Sequence, residues 1–292
     1  MKIKMQVVSD ILKWIEENLD NNIRIEDVVN KSGYSRRGIQ LIFKEYTGLP
    51  LGSYIRHRKL CRSAMLLRLT NQSIFDISDQ LGFDSQTSFS REFKKYFDYT
   101  PNKYRANPSW DLKKFRARII LDEGNQLVPS FRYLNDDAIF GCNNNSYKIS
   151  YQKSFLQPST NDNDIRLDIV KKNIKTSKKT LLILSKFKPS KLDHHILDID
   201  TIIAFEDSII KSNEGHKRYD IDSGLYVMFP YKGNWSELSS FSRKIYTEIF
   251  PVYGLSRRPG YDIEIFYYND SLLLDDYSDI TVECDYYIPI SK

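Results

Sequence analysis

Residues 73–105 read SIFDISDQLGFDSQTSFSREFKKYFDYTPNKYR, and this stretch decides the fold of the first part of the chain. Ile74, Ile77 and Leu81 recur at the spacing of an α-helix, so they predict a short amphipathic helix. Gly82 follows directly, and glycine commonly ends a helix because it adopts a positive φ without steric cost. The stretch is therefore predicted to open with a helix and a tight turn.

A second helix with two contrasting faces is predicted after this turn. Ser85 is a suitable N-cap residue. Phe89, Phe93 and Phe97 follow at four-residue steps and form an apolar face. The opposite face carries hydrogen-bonding and cationic side chains, namely Gln86, Thr87, Ser90, Arg91 and Lys94. Such side chains contact base edges and phosphates in the major groove of DNA. A solvated helix face has a similar composition, so this face alone leaves both interpretations open.

The same pattern occurs a second time, earlier in the chain, at an offset of about 49 to 50 residues. The matched positions are Ile25, Asp27, Val28, Gly33, Tyr34, Ile39, Phe43, Lys44 and Tyr46, which align with Ile74, Asp76, Ile77, Gly82, Phe83, Phe89, Phe93, Lys94 and Tyr96. A shared glycine turn, apolar helix face and basic helix end predict one helix-turn-helix motif built twice.

The earlier copy is predicted to present a helix face of its own. Its second helix should begin at Ser35, and the side chains expected to point outward are Arg36, Arg37, Gln40, Leu41 and Lys44. A long helix over residues 51–69 should join the two copies. At 1.5 Å per residue it spans about 28 Å, which sets much of the roughly 34 Å between successive major-groove segments on one face of B-DNA. Its exposed side is expected to carry Arg56, Arg58, Lys59, Arg62 and Arg68.

Charge is distributed unevenly along the 292 residues, whose net charge is +5. Residues 1–110 contain 18 basic against 12 acidic residues, whereas the remaining 182 contain 25 against 26. A basic half joined to a near-neutral half is typical of a nucleic-acid-binding domain fused to a domain of another kind.

No part of the sequence predicts export or insertion into a membrane. The basic start of the chain is followed by an amphipathic run rather than a signal-peptide core, and no apolar stretch is long enough to span a bilayer. Cys61, Cys142 and Cys284 are widely spaced and odd in number, which fits a reducing compartment. We therefore expect a cytoplasmic protein without a membrane partner.

The sequence changes character after Trp110. Residues 111–125 are predicted to be a linker, and residues 126–292 are predicted to be an α+β domain. Strands are predicted over 131–134, 138–141, 180–184, 201–205, 224–229, 261–268 and 280–288, and a helix over 235–250. Residues 143–178 are polar and contain no motif that we can place.

The most specific motif of the chain lies between Gly82 and Arg105. It reads GFDSQ over 82–86 and FSREFKK over 89–95, followed by Thr100-Pro101 and Tyr104-Arg105. Residues 8–110 thereby resemble the DNA-binding domain of the AraC/XylS transcription activators. The N-terminal position of this domain is similar to the Rob-like subgroup of that family. The resemblance implies binding to double-stranded promoter DNA and activation through RNA polymerase. Because one chain supplies two recognition helices, binding as a monomer is expected.

The earlier recognition helix departs from the Rob-like pattern at two positions. It has Arg37 where that subgroup has a tryptophan, and Leu41 where that subgroup has an arginine. A leucine cannot hydrogen-bond a guanine, although it can contact a thymine methyl group. An altered base preference is therefore expected at that half-site.

The second half carries a weaker resemblance, over Gly224–Phe229, Arg257–Gly260 and Asp262–Glu264, followed by an aromatic run. These residues resemble the GyrI-like effector-binding domain. The resemblance implies two strand-helix-strand-strand repeats that enclose a pocket for a small hydrophobic or cationic effector, with Glu264 as the carboxylate of the site. It also suggests control of stress or multidrug-resistance genes.

Strand alternation groups the other candidates for this site. Asp262, Glu264 and Phe266 should share one face of their strand, and a carboxylate beside an aromatic ring favours a cation. Tyr226, Trp235 and Tyr286 line the same site if they are not simply core residues. The alternative for Glu264 is a solvated carboxylate at the surface.

The sequence therefore predicts a multidomain protein with an all-α N-terminal domain over 1–110, in which a long helix joins two helix-turn-helix motifs. A linker over 111–125 and an α+β GyrI-like domain over 126–292 follow. The predicted function is a DNA-binding transcriptional regulator with a ligand-sensing domain. The alternatives are a ligand-independent nucleoid-type protein or repressor, and a GyrI-like hydrolase fused to a DNA-binding domain. No nucleophile motif or metal-ligand spacing is present, so we expect no enzyme activity, metal or cofactor.

Overall fold

A computed structural model describes most of the chain and divides it into two compact units. The described residues are 2–121, 127–135, 138–141, 143–150, 165–205, 217–274 and 280–291. The helical unit comprises Met1–Asn107, Lys113–Gln126 and Thr247–Gly254, and the sheet unit comprises Pro108–Leu112, Leu127–Tyr246 and Leu255–Lys292.

Seven helices build the first part of the helical unit. They are α1 (Lys2–Asn18), α2 (Ile25–Ser32), α3 (Arg36–Thr47), α4 (Leu51–Leu69), α5 (Ile74–Gln80), α6 (Gln86–Phe97) and α7 (Pro101–Ala106). The prediction of two helix-turn-helix motifs joined by a long helix is confirmed: α2 and α3 form the first motif, α5 and α6 the second, and α4 joins them. Among the described residues, no helix is both long and apolar enough to cross a bilayer.

The two motifs are built from the same local signals. Ser35 and Ser85 cap α3 and α6, and each hydroxyl accepts a hydrogen bond from the backbone amide three residues later, at 3.2 and 3.1 Å. Both helices are 12 residues long. The turns before them contain Gly33 and Gly82, whose φ angles of 68° and 67° lie in the left-handed region that glycine tolerates best.

An aromatic core fixes the second motif. Phe89, Phe93 and Phe97 are all buried, as their spacing predicts. Consecutive ring centroids lie 5.6 and 4.7 Å apart, and Tyr104 of α7 packs its ring edge-on to Phe93 at 5.4 Å. Burying each phenylalanine contributes roughly 1.5–3 kcal/mol, so this face of α6 is held firmly against its neighbours.

Helix α4 is more buried than the sequence predicts. Arg58 and Lys59, which we expected on its exposed side, are only 7% and 8% exposed, so that prediction is wrong for both. Arg58 is buried because Glu16 of α1 receives its Nε and Nη2 at 2.7 and 2.8 Å, and the Tyr54 hydroxyl donates to the same carboxylate at 2.9 Å. A long-range partner of this kind is invisible to helical periodicity.

The sheet unit is built mainly from antiparallel strands. They are β1 (Trp110–Asp111), β2 (Ser130–Leu134), β3 (Ala138–Gly141), β4 (Asn143–Ser150), β5 (Leu181–Pro189), β6 (Ile196–Phe205), β7 (Lys217–Asp220), β8 (Gly224–Asn234), β9 (Ser256–Arg257), β10 (Asp262–Phe266) and β11 (Thr281–Ser291). The large sheet runs β2-β8-β11-β10-β5-β6-β4, with β9 and β1 added at the end of β11. Strands β3 and β7 form a separate pair.

The predicted pair of strand-helix-strand-strand repeats is confirmed. The first repeat is β4, α8 (Ile165–Ser177), β5 and β6, and the second is β8, α9 (Trp235–Lys244), β10 and β11. The two repeats meet at the β5–β10 pair in the middle of the sheet. Outward from there, the strands of the first repeat follow in the order β5, β6, β4 and those of the second in the order β10, β11, β8, so the two halves have the same arrangement. After α9 the chain continues as a π-helical turn, Ile245–Ile249, and a short helix α10, Phe250–Val252.

The segment predicted to be a linker contains structured residues. Asp111, together with Trp110 at the end of the predicted DNA-binding domain, forms β1, which pairs with β9. Leu112 and Phe115 are buried, and the Phe115 ring lies 5.6 Å from that of Phe97. The apolar side chains Leu112 and Phe115 of this otherwise polar segment are thus part of the packed interior. Residues 122–126 of the predicted linker lie outside the described residues.

Candidate functional site

Helices α3 and α6 present equivalent faces to solvent. The outward positions of α3 are Arg36, Arg37, Gln40, Leu41 and Lys44, and those of α6 are Gln86, Thr87, Ser90, Arg91 and Lys94. Each position in the first set precedes its counterpart in the second by 50 residues. All are exposed except Gln40 and Ser90, which are partly buried at corresponding positions. Both helices can therefore offer the same five positions to a groove of DNA.

Leu41 is the unusual member of this set. Its side chain is 60% exposed, although leucine normally packs inside, and its counterpart in α6 is Arg91. An exposed apolar side chain here is suited to contact with an apolar atom of a partner, such as the methyl group of thymine.

Arg36 forms an exposed ion pair with Glu26. Its Nη1 lies 2.8 Å from Glu26 Oε1 of α2, and both side chains are more than half exposed. Exposed pairs of this kind contribute only about 0–1 kcal/mol. Exchange of the carboxylate for a backbone phosphate is therefore inexpensive.

Glu264 occupies the middle of the large sheet. It lies on β10, directly opposite Tyr286 of β11 and Ile183 of β5. It is 5% exposed, so the alternative of a solvated surface carboxylate does not fit its position. A buried carboxylate is costly without a cation or hydrogen-bond donors, and its surroundings have to supply them.

The cation beside Glu264 comes from α8. The Arg166 guanidinium forms an ion pair with Glu264. The same guanidinium lies 5.5 Å from the ring centroid of Trp235, at the start of α9, and 5.8 Å from that of Phe266. The two rings are themselves 5.8 Å apart. One carboxylate and two aromatic rings thus surround a single positive charge, which is the arrangement that binds organic cations.

Asp262, on the same face of β10, has a different set of partners. The hydroxyls of Tyr246 and Tyr286 both donate to its Oδ2 at 2.7 Å. Arg257 donates to its Oδ1 through Nε and Nη2, at 3.1 and 2.8 Å. Burial, and then the adjacent Asp262 carboxylate, raise the pKa of both tyrosine hydroxyls well above its ordinary value, so both remain protonated donors. Tyr286 thus lies opposite Glu264 in the sheet, while its hydroxyl donates to Asp262.

Tyr226 lies away from the Glu264 group, which corrects the grouping expected from sequence. It packs in the apolar cluster on the other side of the sheet, with Leu184 and Ile263. Its hydroxyl donates to the carbonyl of Asp222 at 3.3 Å, and Arg258 lies 4.9 Å from its ring centroid. Strand alternation explains this position. Tyr226 pairs with Pro289 of β11, and Pro289 lies an odd number of residues from Tyr286, so the two tyrosines point to opposite faces of the sheet.

Sequence reasoning missed Arg166 altogether. It lies in the polar stretch of residues 143–178, where we place no motif, and the short apolar stripe of α8 at Leu167, Val170 and Ile174 is surrounded by charged residues. The available signal was indirect: a glutamate predicted to be buried requires a cationic partner, but nothing in the sequence indicates which of the many basic residues supplies it.

Comparison with known protein families assigns both halves of the chain. A helix-turn-helix domain profile matches residues 28–107, and a GyrI-like small molecule binding domain profile matches residues 146–291. The first range contains both α3 and α6, and the second contains Glu264 together with Arg166, Trp235 and Phe266.

Two relatives align with nearly the whole chain. The chain is 35% identical to the F1 operon positive regulatory protein of Yersinia pestis, over 99% of this chain and 89% of the relative. It is 33% identical to the right origin-binding protein of Escherichia coli K12, over 98% of each chain. The helical part alone is 48% identical to the transposon Tn10 TetD protein of Escherichia coli, over 37% of this chain and 78% of the relative.

Proposed function

We propose that this chain, which belongs to the AraC-type transcriptional regulators carrying a GyrI-like small-molecule binding domain, binds promoter DNA as a monomer through α3 and α6 and responds to a small organic cation. The proposed DNA-contacting residues are the five outward positions of each helix. The proposed domains are 1–110 for DNA binding and 126–292 for effector binding, with 111–125 between them.

One observation supports binding as a monomer above all others. Two helices of equal length, with equivalent caps and equivalent outward positions, lie on one chain and are joined by the 19-residue helix α4. A protein with a single recognition helix needs a second subunit to contact two half-sites, whereas this chain has two such helices, α3 and α6. The basic excess of residues 1–110 supplies the charge that phosphate neutralisation requires.

Activation is the proposed direction of regulation. The Yersinia pestis relative is named a positive regulatory protein, which supports this choice over repression. We propose that contact with RNA polymerase in the cytoplasm mediates the effect. The proposed effector is bulky and apolar with a positive charge, because Glu264, Trp235 and Phe266 supply a buried carboxylate and two aromatic rings.

Run-off transcription tests this proposal. Purified full-length chain, RNA polymerase and a template carrying a binding site selected from random duplexes are combined with and without tetraphenylphosphonium, a bulky apolar cation. We expect more transcript with the chain and a further change with the cation. Sedimentation of the chain with labelled duplex should give one chain per site. Two chains per site would contradict the monomer, and unchanged transcript would contradict activation.

A further inference from the structure

The site that would take a cationic effector is already occupied by a cation of the chain itself. We propose that Arg166 is a tethered occupant of the Glu264 site, and that an organic cation binds by displacing the Arg166 side chain from Glu264, Trp235 and Phe266. This inference rests on the proposed effector class and deepens it, since it predicts which residue opposes binding.

The contacts of Arg166 support this role. Its guanidinium pairs with the carboxylate of Glu264 and lies within 6 Å of two ring centroids, at 5.5 and 5.8 Å. A carboxylate combined with aromatic faces is the set of contacts that a lipophilic cation uses in a protein. An incoming cation and Arg166 thus compete for the same partners, and both cannot hold them at once.

The position of Arg166 makes displacement easy. It is the second residue of α8, and buried Leu167, Val170 and Ile174 anchor that helix independently of it. The Arg166 side chain is 19% exposed and that of Glu264 is 7% exposed, so the arginine is the more accessible member of the pair. An arginine side chain has several rotatable bonds, and rotation about them can vacate the site while the helix remains packed.

Arg257 shows the contrasting case of an arginine fixed in place. It donates to Asp262 through two nitrogens and also to the carbonyls of Arg258 and Gly260, at 3.2 and 3.1 Å. Its acceptors come from the adjoining turn as well as from the strand, so displacement would break a local backbone arrangement. We therefore assign a structural role to Arg257. The exchangeable cation is assigned to Arg166 because its side chain is the more exposed of the two, at 19% against 13%, and lies at the start of α8.

The charge balance of the Arg166–Glu264 pair favours cationic ligands over neutral ones. While the Arg166 side chain is in place, the Arg166–Glu264 ion pair has no net charge. A neutral ligand that enters the site therefore gains no ionic attraction. A cation replaces one positive charge with another and keeps the carboxylate paired. Competition is therefore specific to cations, and removing Arg166 should strengthen cation binding without strengthening the binding of a neutral molecule of the same shape.

Complementation of a truncated side chain tests this directly. Arg166→Ala in the full chain removes the two outer methylenes and the guanidinium, a fragment that N-ethylguanidinium reproduces. We expect N-ethylguanidinium to raise the melting temperature of Arg166→Ala but not that of the wild type. N-ethylurea, which has a similar shape without the charge, should raise neither. Calorimetry should also show tetraphenylphosphonium binding roughly ten-fold or more tightly to Arg166→Ala than to the wild type.

Matched variants separate displacement from general effects. Lys175→Ala removes an exposed positive charge from the same helix. The affinities of this variant for N-ethylguanidinium and for tetraphenylphosphonium should equal those of the wild type. Adding Glu264→Gln to Arg166→Ala should abolish the gain. Arg166→Gln, which retains more of the side chain, gives the same test if the alanine variant folds poorly, since it too should bind tetraphenylphosphonium more tightly than the wild type.

The outcomes distinguish this inference from the proposed function. If wild type and Arg166 variants bind tetraphenylphosphonium equally well, the effector class stands and displacement of Arg166 is refuted. If none of the proteins binds any cation while all bind DNA, the proposed effector class fails and this inference fails with it. Tighter binding of N-ethylurea together with N-ethylguanidinium would show that the truncation merely opened space, which would also overturn the inference.

Discussion

At the scale of single residues, buried charges hold the helical unit together through specific partners. Glu16 pairs with Arg58 and accepts a hydrogen bond from Tyr54. Burial by itself would raise the pKa of the Glu16 carboxyl, but the Arg58 and Arg62 guanidinium groups and the Tyr54 hydroxyl together outweigh burial and lower the pKa below its ordinary value. A lowered pKa in the folded state means that the ionised carboxylate stabilises the fold.

This pair predicts how stability depends on pH. The contribution of Glu16 is fully present above the ordinary pKa of glutamate and is lost as the pH falls through its lower folded-state pKa. We expect Glu16→Gln to reduce the free energy of unfolding by about 3 kcal/mol at neutral pH, because Arg58 is left buried without its charge partner. Urea unfolding at a series of pH values checks this. The difference from wild type should shrink at acidic pH, and Glu17→Gln, at an exposed neighbour, should show little effect at any pH.

Base recognition is the second expectation at this scale. Arg91→Ala should weaken binding to a selected site by roughly 1–3 kcal/mol and relax the preference at one base pair if Arg91 reads a base. If Arg91 instead contacts phosphate, the loss should be smaller and even across sequences. Leu41→Ala, at the counterpart position of α3, should alter preference only where the site carries a thymine. Fluorescence anisotropy with single-base-pair variants decides between these outcomes, and Lys95→Ala serves as a charge control.

At the scale of elements, the turn of each helix-turn-helix motif depends on a glycine with positive φ. Gly33 and Gly82 have nearly the same φ, but their surroundings differ. A methyl group at Gly33 would meet open space, whereas one at Gly82 would overlap the Asn22 side chain. The two positions thus separate backbone strain from steric conflict.

We expect Gly33→Ala to destabilise the protein by about 1–2 kcal/mol, the cost of a left-handed conformation for an L-residue. Gly82→Ala should cost more, since Asn22 must also move. Thermal and urea unfolding of both variants measure the difference. Asn22 also has a positive φ, 52°, so it is replaced by glycine, which tolerates that conformation. Measured against Asn22→Gly alone, the loss from adding Gly82→Ala should be close to the Gly33→Ala value. Equal losses at the two glycines without that second change would mean that the contact with Asn22 contributes nothing.

Elements with strong local signals were predictable from sequence, and those without them were not. Helix α4 has the predicted bounds because Pro50 precedes it and apolar residues recur throughout. Strand β4 and helix α8 escaped prediction because they lie in a polar stretch, in which the short apolar stripe of α8 at Leu167, Val170 and Ile174 does not stand out from its charged neighbours. The carboxylate of the candidate ligand site, Glu264, was predictable from strand alternation and resemblance, whereas its partner Arg166 depends on a contact between distant parts of the sequence.

The burial of Arg58 follows the same logic. A helical wheel places it among exposed basic residues, and only the approach of Glu16 from α1 turns that position into a buried ion pair. The spacing of apolar residues predicts which face of a helix is buried on average. It does not predict the burial of one charged side chain, which depends on whether a partner of opposite charge lies nearby in the fold.

At the scale of the whole molecule, the chain joins two recognition helices to a domain that surrounds a buried carboxylate with aromatic rings. We propose that α3 and α6 of one chain read two half-sites together. Because the two helices belong to one folded chain, the half-sites must face the same side of the duplex, and their centres must lie about one helical turn, or roughly 34 Å, apart.

The most direct measurement is the affinity of the full chain for a selected duplex in which 5 or 10 base pairs are inserted between the half-sites. We predict that 5 added base pairs, about half a turn, reduce affinity to that of a single half-site, because the second half-site then faces the opposite side of the DNA. Ten added base pairs restore the face but not the distance, so affinity should stay low. Full affinity with either insertion, or binding unaffected by scrambling one half-site, would contradict the account.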